Sequence, residues 1–159
     1  MHKDVKTTRH RFIRDWLPVI VVMCIIYWMS TETFSSQNTI TWIDKFLRFL
    51  VPHISSHKVS LIHEYIRKTG HFVEYFIFGL LLFRAFRGER VGPWNWRWSF
   101  WAVVLVILWA ASDEFHQSFI ATRTASVADV GIDTAGGVLA QFAAVLWYRH
   151  KKRSFRDHP

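Results

Sequence analysis

The stretch WAVVLVILWAASDEFHQSFIATRTASVADVGIDTAGGVLAQFAAVLWY (Trp101–Tyr148) decides how this chain folds. Two apolar runs, 101–111 and 138–148, enclose a segment with two adjacent acids, a His, a Gln, an Arg and two further Asp. A polar link between buried helices in water would put such residues there, and so would a hydrated site at a membrane surface. The rest of the chain separates the two.

Of 159 residues 51% are apolar, with nine Trp and fourteen Phe, and they fall in blocks rather than at amphipathic spacing. Blocks of this kind point to membrane spans. The first is Trp16–Ser30; bulky Tyr27, Trp28 and Met29 stand where a signal peptidase needs small residues, so we expect an uncleaved span. The second, His71–Phe83, is interrupted by Glu74. The third, Trp98–Ser112, follows Arg97 and carries no acid or base. The fourth runs from about Val130 to Tyr148, with Asp133 near its start. Each strictly apolar core falls at or below the roughly 20 residues that cross a bilayer, so the polar flanks must be helical too. The lone cysteine, Cys24, allows no intrachain disulfide. The fold expected is all-α: four transmembrane helices with an interfacial helical segment between the first two. The domain plan is a basic tail (1–15), one transmembrane domain (16–148) and a second basic tail (149–159).

The net charge of +8 could signal nucleic acid, but its distribution points elsewhere. Lys3, Lys6, Arg9, Arg11 and Arg14 precede span one; Arg84, Arg87, Arg90 and Arg97 link spans two and three; Arg149, Lys151, Lys152, Arg153 and Arg156 follow span four. The remaining connections hold only Lys45, Arg48, Lys58, Arg67, Lys68 and Arg123. The positive-inside rule then predicts cytoplasmic termini, and the basic clusters are orientation signals and contacts to anionic lipid, with no nucleic-acid partner. Between spans one and two, WIDKFLRFL (Trp42–Leu50) places Ile43, Phe46, Leu47 and Leu50 on one helical face, the pattern of an interfacial helix. SHKVSLIHEYIRKTG (56–70) reads as a second short helix ending near Gly70.

With that topology the polar ends of spans two, three and four meet on the outer side. His71 and Glu74 share a face, with Lys68 a turn earlier; Asp113, His116 and Gln117 share another. Asp129, Asp133, Gly136, Gly137, Ala140 and Ala144 form a stripe of small and acidic residues predicted to face the bundle. Ser126 reads as the N-cap of the last helix, with Asp129 in its first turn. Asp133 lies a turn too deep for that role; an ionised carboxylate facing lipid costs about 3 kcal/mol, so it needs a partner, with Arg123 the expected cation. For Glu74 the same reasoning names Lys68 or His71. The remaining histidines, His63 among them, are expected to be solvated.

KTGHFVEYFIFGLLL (68–82) followed by SDEFHQSFIATRTASVADVGIDTAGGVLA (112–140) resembles the VanZ-like family of small bacterial membrane proteins. The matching positions are Lys68, His71, Tyr75, Asp113, Glu114, Gln117, Arg123, Asp129 and Asp133 with Gly136 and Gly137. The resemblance runs over roughly 16–148 and departs at Ala121–Arg123, where the family often has Pro-Gly-Arg. It implies a bacterial cytoplasmic-membrane location and a link to low-level resistance to the glycopeptide teicoplanin.

Three uses of the polar residues follow. Lys68, His71 and Arg123 could grip an anionic envelope component, a membrane-lipid headgroup, cell-wall precursor or glycopeptide, while Gln117 and the carboxylates accept its donors. Alternatively, Asp113, Glu114 and His116 with His71 and Glu74 could act as general acid and base or hold a divalent metal, although no nucleophile motif is present and the spacing matches no closed zinc set. Third, the residues could be an inter-helix network that only fixes packing. A proton-coupled carrier using His71 and His116 is a more distant option. No cofactor is indicated by the sequence.

Overall fold

The computed structural model describes residues 2–31, 36–90, 94–120 and 125–157. These form five α-helices, α1 (His2–Met29), α2 (Ser36–Leu50), α3 (Ser56–Arg87), α4 (Trp96–Gln117) and α5 (Val127–Asp157). Four are long and apolar enough to cross a membrane, over His10–Met29, Ser56–Arg87, Trp96–Gln117 and Val127–His150. As expected from their short apolar cores, each recruits its polar flank into the helix.

The ends are set by local chemistry. Ser55 accepts the amide of Lys58 to start α3, and Asn95 accepts that of Arg97 to start α4. Gly88, at φ +56°, ends α3 with its N–H on the Arg84 carbonyl. Ser126 caps α5 as read from the sequence, its hydroxyl accepting the Ala128 amide at 3.2 Å. Pro18 lies inside α1, where it removes the donor for the Arg14 carbonyl. Arg84 supplies a replacement, its Nη2 donating to that carbonyl at 3.2 Å.

One expectation is corrected. Gly70 does not end a short helix: α3 passes through it without a break. A glycine inside a helix costs only about 1 kcal/mol, whereas a broken turn at membrane depth strands backbone groups that lipid cannot satisfy.

α3 is the hub, packing most extensively on α5 and also on α1, α4 and α2. The stripe on α5 faces the bundle as predicted, with Asp129, Asp133, Ala140 and Ala144 all buried. Its glycines set the approach distance. A Cβ on Gly79 would stand 2.9 Å from Ala140 Cβ, and one on Gly137 would strike the Val106 side chain. Val19, Ile26, Tyr75, Phe78, Leu82, Ala102, Val106 and Ala110 fill the space between helices. Large apolar side chains cover the outside: Leu108, Phe142, Leu146 and Trp147 are all more than half exposed. That inside-out distribution suits lipid and would be costly in water.

The basic segments converge at one end. Arg11 and Arg14 pair with Glu89 at 3.1 and 2.7 Å, and Arg87 lies over the Tyr148 ring, 5.2 Å from its centroid. The entry to α1, the α3–α4 link and the C-terminal part of α5 therefore share one end of the bundle. α2 lies at the opposite end and carries the single apolar face expected, divided in its burial. Ile43 and Leu47 are half-buried, while Phe46 and Leu50 are exposed alongside Trp42 and Phe49. Contact with the bundle on one side and lipid on the other accounts for the split. Arg48 ties α2 to the start of α3, its Nη2 donating to Ser56 Oγ at 3.2 Å.

Candidate functional site

The polar groups form a layer at a common depth. Ser30, Asp113 and Asp133 lie four helical turns and more beyond Arg14, Arg97 and Arg149 on their own helices, and His71 lies slightly nearer Arg84. At 1.5 Å per residue that is about 20–24 Å from the basic end, hence about 6–10 Å beneath the far surface of a 30 Å hydrocarbon core.

At this layer a cavity of about 210 Å³ opens between α1, α2 and α3, with the end of α4 as its floor. Its polar wall comprises Ser30, Thr39, His63, Arg67, His71, Glu74 and Asp113, and its apolar wall includes Ile26, Met29, Ile43 and Ile66. Helical phase explains the α3 contribution: His63, Arg67, His71 and Glu74 step down one face at spacings of four, four and three. Gly70 lies on that face too, and a Cβ there would meet nothing within 4 Å.

Behind the wall stands a second row that fixes these side chains. Asp129, 2% exposed, lies 2.9 Å from Arg67 Nη1. Asp133, fully buried, lies 3.3 Å from His71 Nδ1, an off-axis polar contact. On the α1–α4 side, Ser30 donates to Asp113 Oδ1 at 2.5 Å, and Gln117 Nε2 donates to Asp113 Oδ2 at 2.9 Å and to Ser30 Oγ at 3.2 Å. Glu114 is buried and accepts the Ser126 amide at 2.7 Å, which ties the end of α4 to the entry of α5. His63 Nε2 contacts Thr39 Oγ1 at 3.3 Å and so joins α3 to α2.

The residues singled out in the sequence are thus distributed in layers. His71, Glu74 and Asp113 line the cavity; Asp129, Asp133 and Gln117 hold lining residues from behind. Tyr75 is fully buried in the core, edge-on to Phe78, and its hydroxyl has no hydrogen-bond partner among the described residues. His116 packs against Tyr27 at the α1–α4 surface, ring centroids 4.8 Å apart. Lys68 is on the outer face of α3, where it pairs with Glu64 at 2.6 Å. Arg123, the expected cation for Asp133, lies outside the described residues.

Four polar lining residues are not among the site residues expected from the sequence: Ser30, Thr39, His63 and Arg67. His63, expected to be solvated, is 8% exposed. A ladder of polar residues at i, i+4, i+8 and i+11 was the available signal for His63 and Arg67. Of the five residues read as an acid, base or metal set, His71, Glu74 and Asp113 share the cavity, while Glu114 accepts from Ser126 and His116 packs on Tyr27. Among the described residues no three His, Cys, Asp or Glu side chains come together as a metal-ligand set.

No curated protein and no solved structure matches the chain. The VanZ/LLP1 family model matches residues 15–148. That span begins at Asp15 beside the basic end, takes in every cavity-lining residue and closes at Tyr148 under Arg87. The chain, a multi-pass membrane protein by its four apolar helices, belongs to the VanZ/LLP1 family.

Proposed function

We propose that the cavity binds the anionic headgroup of an envelope component from the outer face of a bacterial cytoplasmic membrane. The basic end faces the cytoplasm under the positive-inside rule, which puts both termini inside and the cavity under the external leaflet. The observation that carries this reading is the wall itself: Arg67, His63, His71 and Glu74 on α3 facing Ser30, Thr39 and Asp113 from the other helices, in a recess partly covered by an amphipathic helix. Arg67 retains N–H donors beyond the one facing Asp129, and its guanidinium suits bidentate contact with phosphate or carboxylate.

Size narrows the class. At about 210 Å³ the cavity is below the 300–1,000 Å³ usual for drug-sized ligands. It fits a phosphate with part of its substituent, not a glycopeptide antibiotic. The family name's link to glycopeptide resistance is then most simply met by retention of a lipid-borne wall precursor or headgroup, with the rest of that molecule outside the recess.

Gly70 gives a test that leaves packing alone. The Gly70→Phe variant fills open space in the wall and removes a helix-weakening glycine. We expect it to fold at least as stably as the parent and to lose the anionic species seen by native mass spectrometry after extraction in mild detergent. Retention of that species in a correctly folded variant would refute the binding role and leave the polar row as a packing device. Turnover of labelled polyprenyl-phosphate precursors by the parent chain, abolished in the same variant, would convert the binder into an enzyme.

A further inference from the structure

At the opposite end of the bundle, away from the cavity, α4 and α5 diverge around a groove of about 530 Å³. Val103, Val138, Phe142 and Val145 make it mostly apolar, with Gln141 the one polar residue among them, and Trp94, Ser99 and Arg149 stand at its mouth. From Arg149 to Val138 the groove follows α5 for about 16 Å. One leaflet of a 30 Å hydrocarbon core is about 15 Å deep. The groove therefore spans the depth of one leaflet and stops where the tails of the other begin.

Its mouth is chemically distinct from its walls. Trp94 Nε1 and Ser99 Oγ are buried and make no hydrogen bond among the described residues, although an indole N–H is an obligate donor and a hydroxyl can be one. The Arg149 side chain at the same level is exposed and makes no ion pair among the described residues. One cation and two idle donors above an apolar trench complement a phosphodiester above an acyl chain. A second copy fits worse: a two-fold contact through this face would set Arg149 against its own counterpart, within a segment already rich in Lys and Arg.

We propose that the α4–α5 groove is a site for an anionic phospholipid, with one acyl chain between Val103 and Val138 and the phosphate on Arg149, Trp94 Nε1 and Ser99 Oγ. It is independent of the cavity beneath the other leaflet. Basic recesses between transmembrane helices on the cytoplasmic side are suited to such lipids, and a single surface Arg contributes roughly five-fold in affinity.

The test uses the full chain, delipidated in neutral detergent and titrated with phosphatidylglycerol or phosphatidylcholine of identical chains under native mass spectrometry. Phosphatidylglycerol should bind about five-fold more tightly. Arg149→Gln, at an exposed position, should remove that preference while phosphatidylcholine binding persists. Val138→Phe, which fills the deep end of the trench, should weaken both lipids. In each variant the species sensitive to Gly70→Phe should stay, which separates this site from the cavity. Equal binding of the two lipids by the parent would overturn the proposal, as would a preference indifferent to Arg149→Gln. Conversion of a parent dimer to monomer by Val138→Phe would assign the groove to a second copy instead.

Discussion

The Arg67→Ala variant should lose both the bound anionic species and about 3 kcal/mol of stability. Arg67 is the cation that the described residues place on Asp129, a carboxylate 2% exposed at the entry to α5. Removing one partner of a buried pair leaves a desolvated charge, whereas removing both leaves a gap of lower cost. Arg67→Ala combined with Asp129→Ala should therefore regain much of the lost melting temperature and none of the binding. Lys68→Ala, one residue away, removes only an exposed i,i+4 pair with Glu64; it should change stability by less than about 0.5 kcal/mol and leave the ligand in place. Thermal unfolding in detergent, alongside native mass spectra, reads both quantities. If Lys68→Ala proves the damaging variant and Arg67→Ala the silent one, the face of α3 assigned to the cavity is wrong.

The second large effect falls on packing. A side chain on Gly136 would drive its Cβ into the Phe72 carbonyl oxygen and close to the Phe76 amide. A side-chain obstacle can rotate away; a backbone carbonyl within a helix cannot. Gly136→Leu should accordingly pry α5 from α3, the most extensive contact in the bundle, at a cost above about 3 kcal/mol. Little folded protein should survive size-exclusion chromatography. Gly131, also on α5, has nothing within 4 Å of its would-be Cβ, so Gly131→Ala should be neutral or add about 0.5–1 kcal/mol. Matched behaviour of the two variants would show that the α3–α5 approach is not set by glycine.

Much of this arrangement is legible in the chain itself. Blocked hydropathy identifies four spans, and the asymmetry of Lys and Arg predicts that the tails and the α3–α4 link share one end, as the Arg14–Glu89 and Arg87–Tyr148 contacts show. The spacing of Asp129, Asp133, Gly136, Gly137, Ala140 and Ala144 marks the face of α5 that turns inward, because small residues and intramembrane acids avoid lipid for separate reasons. Ser126 is recognisable as a cap from its local pattern alone.

What the chain does not reveal is rotational phase and tertiary company. Arg67 and Lys68 are adjacent and both basic, yet about 100° apart around α3; only packing against α5 decides that Arg67 faces Asp129 and Lys68 faces outward. Reading Gly70 as a helix stop cut the ladder of His63, Arg67, His71 and Glu74 in two, and the upper half then passed for a solvated connection. Ser30 and Thr39 are unremarkable locally; their place in the wall comes from α1 and α2 lying against α3, which no short-range pattern encodes.

We propose that the recess lined by Arg67, Gly70 and His71 opens to the outside of the cell, opposite the basic end. With Cys24 replaced by Ala, the Gly70→Cys variant should react with a membrane-impermeant maleimide added to intact cells. Reaction seen only in inverted vesicles, with intact cells unlabelled, would contradict it.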